Sequence, residues 1–223
     1  ASFFHLASPF NAFGVFSGIG SSPLSNEIAV GIVFFVVALV FAIMAFAGKL
    51  TDASRRPFAA VVAVLAIVFA VFTGMAYMMP TIASWNTPLV PVEMLGFALL
   101  GGAAFGAVLL TVCRAQGAET RSFATVAFVI ALVGYAVALV ALVGHYGVLE
   151  ALSSAFVAGA TLAEGVTGYL VGFGVCGIAS VAALAVCAKK ASVGMAAAAA
   201  VLAIVAIFLV RFAFYAIQLS IAL

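Results

Sequence analysis

Apolar residues fill this chain in six long stretches, at about 27–48, 57–79, 88–113, 122–144, 165–187 and 194–219. About twenty residues, each rising ~1.5 Å, cross the ~30 Å hydrocarbon core of a bilayer as a helix. The apolar runs are continuous. A transmembrane barrel would instead alternate apolar and polar positions over ~10-residue strands. Lipid offers no partners to backbone N–H and C=O groups, so helices that satisfy their own are the remaining solution. The pattern therefore predicts an all-α, polytopic transmembrane helix bundle with six visible spans.

The segments between the runs alternate in charge. Segment 48–56 carries Lys49, Asp52, Arg55 and Arg56, with Pro57 read as opening the next helix. Segment 80–87 has no charge. Segment 114–121 carries Arg114, Glu119 and Arg121. Segment 145–164 carries His145, Glu150 and Glu164 and no Lys or Arg, and a short interfacial helix over Leu149–Val157 would suit it. Segment 188–193 carries Lys189 and Lys190. Basic loops stay on the cytoplasmic side, so 48–56, 114–121 and 188–193 are expected there, in the cytoplasmic (inner) membrane of a prokaryote. Segments 1–26, 80–87 and 145–164 and the C-terminus then face outward. Arg211 is the one basic residue placed inside a span.

Composition strengthens this picture. The 223 residues include only 8 Lys and Arg and 6 Asp and Glu, 6% charged, with 68% apolar. Soluble domains carry roughly 25% charge. No soluble domain fits between the spans, and 1–223 reads as a single transmembrane domain. The opening Ala1-Ser-Phe-Phe-His5 lacks the basic n-region of a signal peptide. It reads as the tail of a helix, with N-terminal helices expected to precede it. Cys113, Cys176 and Cys187 are far apart, and no C-x-x-C occurs. They cannot alone supply the four thiolates of an iron–sulfur or structural zinc site. Gly102/Gly106 and Gly168/Gly172 have the spacing that lets membrane helices approach closely.

Polar groups in or near the bilayer are costly and are therefore the candidates for function. They are His5, Glu27, Glu93, His145 and Arg211. His5 ends an apolar stretch before Pro9. Glu27 follows Ser21-Ser22-Pro23-Leu-Ser25-Asn26, which supplies a cap and an N-terminal Pro for a new helix. The segment between them leaves and re-enters on one side, so both belong at similar depth near the outer surface. An imidazole can bond a hydroxyl or carbonyl while a carboxylate takes its proton. A quinol is a membrane-soluble molecule with that chemistry. The competing reading is an interfacial His and a Glu that complements a helix dipole. Arg211 needs a carboxylate, carbonyl or water partner, and a structural ion pair with Glu27 or Glu93 is its plainest role. Glu93 reads as a solvated helix start and Trp85 as an interface anchor. A haem held between His5 and His145 is disfavoured, since both are placed in or beside loops.

Four segments carry a resemblance. His5-Leu-Ala-Ser-Pro9 and, about twenty residues on, Leu24-Ser-Asn-Glu27-Ile28 resemble two motifs of the dimethyl sulfoxide reductase family's membrane anchor subunit, with Ala7 where that family usually has Gly. Trp85-Asn-Thr87-Pro88-Leu89 resembles its Trp-Thr-Pro-Leu turn. Arg211-Phe-Ala-Phe214-Tyr215 resembles its Gly-Arg-x-x-Phe-Tyr segment, with Val210 in place of Gly. The resemblance implies eight helices in the complete protein, two of them before residue 1. It implies a subunit that oxidises menaquinol, without haem or an iron–sulfur cluster of its own. Electrons would pass to an iron–sulfur subunit and then to a molybdopterin-bearing catalytic subunit, in anaerobic respiration. It maps quinol binding onto His5 and Glu27 and, by motif only, Arg211, with Glu27 as the catalytic proton acceptor. Segment 10–22 and the 80–87 loop would be where the partner docks.

Two other classes compete. A small transporter would show a polar stripe or broken helices meeting at the midplane, whereas the polar groups here gather toward one side. A non-redox scaffold would tolerate substitution at His5 and Glu27.

Overall fold

A computed structural model of the protein describes residues 9–113, 118–154 and 157–219. Among these, a 3₁₀ helix, Pro9–Gly18, precedes six α-helices. They are α1 (Pro23–Phe46), α2 (Asp52–Met75), α3 (Leu89–Val112), α4 (Ala118–Glu150), α5 (Gly159–Lys190) and α6 (Val193–Ala216). All six are long and apolar enough to cross a membrane. The only β pairing among the described residues is an isolated bridge between Ser153 and Ala158. The expected all-α, six-span architecture is the one observed.

Three boundaries move by five residues or more from the sequence reading. Helix α2 begins at Asp52, five residues before Pro57, so Pro57 lies inside it. Thr51 explains the early start: its Oγ1 accepts from Ser54 N–H at 3.2 Å while Ser54 Oγ accepts from Thr51 N–H at 3.0 Å, a reciprocal capping box. Helix α4 runs to Glu150 and α5 starts at Gly159. The segment between them is thus short, and the expected interfacial helix over Leu149–Val157 is absent among the described residues. His145 therefore sits within a helix and not in a loop. At ~1.5 Å per residue, α4 and α5 approach 50 Å, longer than the hydrocarbon is thick, so their ends project from it or the helices tilt.

The protein forms two compact units, residues 1–78 and 79–223. In the first, α1 and α2 form an antiparallel hairpin. Ser22 caps α1 and Pro23 takes its first turn, where a missing N–H costs nothing. Asn26 Oδ1 accepts from Gly20 N–H at 2.6 Å and closes the approach to α1. At the other end Gly48 takes a φ of +64°, the left-handed conformation that lets the backbone turn out of α1. Along the hairpin Phe34 stacks on Phe69 at 5.7 Å, and Phe41 meets Phe58 edge-on at 5.2 Å.

The second unit is a four-helix bundle of α3 to α6, in which each helix packs against its sequence neighbour and α3 also meets α6. Water is not expelled when helices associate within lipid, so close van der Waals contact must hold them. Accordingly the core is alanine-rich: Ala104, Ala131, Ala196, Ala199 and Ala203 are fully buried. Along their lengths α3 and α4 approach closely, backbone to backbone. A Cβ on Gly96 would lie 2.7 Å from Gly134 O and Ala138 N, and one on Gly134 would lie 2.7 Å from Leu100 N. The spacings singled out in the sequence behave differently. Gly102, Gly106 and Gly168 face open space, and Gly172 meets only the flexible tip of Leu209.

Candidate functional site

Glu27 lies in the first turns of α1, half-buried. The Thr73 side chain, near the end of α2, is its polar neighbour. The hairpin brings these residues together because α1 begins where α2 ends. A carboxylate so placed has a hydroxyl beside it and a partly open face, the arrangement of a group that can take up a proton. His5, its expected companion, lies outside the described residues.

The second unit holds a polar cluster of its own. Glu93 is the fifth residue of α3, and His145 is one and a half turns from the end of α4. Antiparallel neighbours with such offsets reach the same depth. Each is only 1% exposed. Glu93 Oε1 stands 2.7 Å from His145 Nδ1, and His145 Nε2 stands 2.6 Å from Ser84 O. A carbonyl oxygen only accepts, so Nε2 carries a proton and donates it. One further proton then occupies the Nδ1···Oε1 contact. The pair is either imidazolium and carboxylate or imidazole and carboxylic acid, and it is neutral overall in both forms. That is how a low-dielectric interior tolerates two ionisable groups.

Glu93 is therefore no solvated helix start, contrary to the sequence reading. A carboxylate near a helix N-terminus normally serves the dipole in solvent, whereas here α4 covers it. The signal that could have found it is His145, at matching depth on the neighbouring helix. Both His145 ring nitrogens are engaged, so neither is free to ligate iron. Among the described residues no three His, Cys, Asp or Glu side chains group closely enough to hold a metal ion.

Around this pair the 80–88 turn is stitched to the end of the bundle. Ala83 N–H donates to Leu219 O at 3.0 Å, and Leu219 N–H donates to Ser84 Oγ at 2.9 Å. Trp85 is not an interface anchor. It is 6% exposed, its Nε1–H donates to Phe214 O at 2.9 Å, and its ring stacks on Phe214 at 4.9 Å. Its indole N–H finds a carbonyl inside the protein and has no need of the headgroup layer. The Tyr146 hydroxyl is buried with no hydrogen-bond partner among the described residues.

Arg211, on α6, donates to Tyr215 Oη at 2.9 Å and to Met94 Sδ at 3.7 Å. Its guanidinium lies 4.5 Å from the Phe214 ring centre and 4.9 Å from that of Tyr215. Glu93, one of its two expected ion-pair partners, is instead bonded to His145. A cavity of about 430 Å³ between α4 and α5 is lined by Leu139, Tyr146, Glu150 and Phe173 among others. It contains none of the expected site residues.

Comparison with known proteins decides the family. The family model described as DMSO reductase anchor subunit (DmsC) matches residues 1–217. The protein belongs to the DMSO reductase anchor subunit family. It is 33% identical over 122 residues to the C chain of anaerobic dimethyl sulfoxide reductase from Escherichia coli, an alignment that covers 54% of this sequence and 42% of that protein. It is 33% identical over 110 residues to the corresponding C chain from Haemophilus influenzae, covering 49% and 39%. It is 32% identical over 136 residues to the YnfH chain of anaerobic dimethyl sulfoxide reductase from E. coli, covering 61% and 47%. The match thus spans less than half the length of each relative. No solved structure matches. The resemblance read from four short segments is therefore a family relationship over nearly the whole sequence, and this anchor subunit is a membrane-spanning helical protein.

Proposed function

We propose that this protein is the membrane anchor of a molybdenum oxidoreductase and oxidises menaquinol near the outer face of the cytoplasmic membrane. Oxidation of one quinol to quinone releases two electrons and two protons. Glu27 accepts the protons of the two quinol hydroxyls in turn and passes each outward to water, and His5 bonds a quinol oxygen. The electrons leave to an iron–sulfur subunit docked over the outer segments and reach a molybdopterin-bearing catalytic subunit. The names of the relatives support an oxidoreductase complex of several chains. The charge alternation along the sequence supports the outer placement of the Glu27 end of α1, with 48–56, 114–121 and 188–193 cytoplasmic.

The observation that carries the reading is Glu27 itself. It is a half-buried carboxylate at the start of a membrane-spanning helix, with the Thr73 side chain beside it. Ionisable groups at such depth are expensive and need a reason. Proton abstraction from a lipid-soluble substrate is one. Arg211 enters the reading through its motif alone, as a further quinol-binding residue. Glu27→Gln keeps the shape and removes the base. Quinol-dependent electron delivery should be lost in this variant while the anchor still assembles. Undiminished delivery would remove Glu27 from the chemistry.

A further inference from the structure

The buried pair of the second unit bonds the backbone of a turn, and it does so at the edge of the membrane span. Ser84 is the junction. Its carbonyl accepts from His145, its hydroxyl accepts from Leu219 N–H, and it is 1% exposed. Ala83 and Trp85 on either side are bonded to Leu219 and Phe214. The turn and residues 217–219 are thereby fixed as one piece. What that piece presents outward is uncharged: Pro80, Thr81, Asn86, Pro88 and Gln218 are exposed.

We infer that Glu93 and His145 are positioning residues, which hold the 80–88 turn and residues 217–219 as a preformed, uncharged docking edge for a water-soluble protein partner. The inference rests on the reading that this protein anchors such a partner. A surface built for phospholipid headgroups carries Lys, Arg and outward-facing Trp or Tyr. Here the one Trp is turned inward and the turn has no basic residue, and Tyr215, an outward aromatic at this end, has its hydroxyl taken up by Arg211 on α6. Amide and hydroxyl side chains between prolines, on a backbone already fixed, suit a protein surface instead. Little conformational freedom remains to be lost on association, and that ordering cost is a main burden on affinity.

The chemistry of the pair gives the inference a discriminating variant. Glu93→Leu leaves His145 without its Nδ1 partner and frees the imidazole from its fixed orientation. In Glu93→Gln the amide N–H can donate to a neutral Nδ1, while Nε2–H still bonds Ser84 O. Asn86→Arg leaves the cluster intact and alters only the exposed edge.

The test uses the assembled complex in native membranes. It measures how much partner protein stays with the anchor after detergent extraction, at a temperature where circular dichroism shows the helices folded. Glu93→Leu and Asn86→Arg should each lower retention by roughly tenfold or more, equivalent to ~1.4 kcal/mol. Glu93→Gln should retain partner like the unaltered protein. Should Glu93→Leu fail to accumulate, Asn86→Arg carries the test alone. Full retention in Asn86→Arg, with only vesicle association altered, would assign the edge to the membrane and overturn the inference. An unaltered anchor that holds no partner protein would overturn the functional reading beneath it as well. A failure confined to Glu27→Gln would leave the docking edge untouched.

Discussion

Glu93 on α3 and His145 on α4 hold one another at 2.7 Å, deep enough that each is 1% exposed, and through Ser84 they fix a turn that belongs to neither helix. The pair is separated by 52 residues in sequence. It is the sort of feature that spans and loop charges do not disclose.

Breaking the pair from one side should be costly. His145→Leu leaves Glu93 buried without its imidazole, and loss of one partner of a buried pair costs about 3–5 kcal/mol. Its thermal or denaturant unfolding in detergent should shift strongly downward. The double change to Leu at both positions should recover part of that loss, because no uncompensated group remains. An unshifted single variant would mean that Glu93 is neutralised by other means.

Tyr146 behaves oppositely. Its hydroxyl is buried and unbonded among the described residues. A buried polar group without a partner carries a desolvation cost of ~1–3 kcal/mol. Tyr146→Phe removes that group and keeps the ring, so the same unfolding measurement should show equal or higher stability. A clear loss would reveal a partner for the hydroxyl.

The α3–α4 crossing depends on two glycines. Gly96→Val places carbon atoms against Gly134 O and Ala138 N, which are backbone and cannot move aside. Overpacking of this kind costs typically ~1–3 kcal/mol. Gly102→Val, facing open space on the same helix, should be nearly silent. Equal effects at the two sites would contradict the assigned crossing.

Thr73 places a hydroxyl donor beside the Glu27 carboxylate. Thr73→Val keeps the side-chain shape and removes that donor. Quinol oxidation by the assembled complex should fall a few-fold, less than for loss of the carboxylate, since orientation is relaxed while the base remains. A Thr73→Ser variant, which restores the hydroxyl, should recover most of the rate.

Much of the fold was legible because lipid imposes a single rule, a continuous apolar run of helical length, and six such runs became α1 to α6. The misreadings share a cause. His145-Tyr146-Gly147 and Ala151-Leu152-Ser153 look alike in polarity, so the end of α4 could not be read from composition. Trp85 and Glu93 sit where a tryptophan or a carboxylate ordinarily meets water or headgroups. Tertiary partners, Phe214 and His145, decided otherwise. Glycine spacing identified helices that could approach closely. Which glycines do so depends on rotation about the helix axis, and near-uniform apolarity leaves that rotation unmarked. Glu27 differs from these in that a carboxylate at the start of an otherwise apolar helix stands out in the sequence itself, and the hairpin sets it beside Thr73.

The proposed quinol chemistry stands or falls on Glu27 as the group that takes the proton. Its sharpest check is the rate of menaquinol oxidation by the assembled complex in membranes, with Glu27→Gln beside the unaltered protein and anchor content matched. A fall of about 10²-fold or more is expected, the contribution of a positioned general base. An unchanged rate would contradict the role given to Glu27.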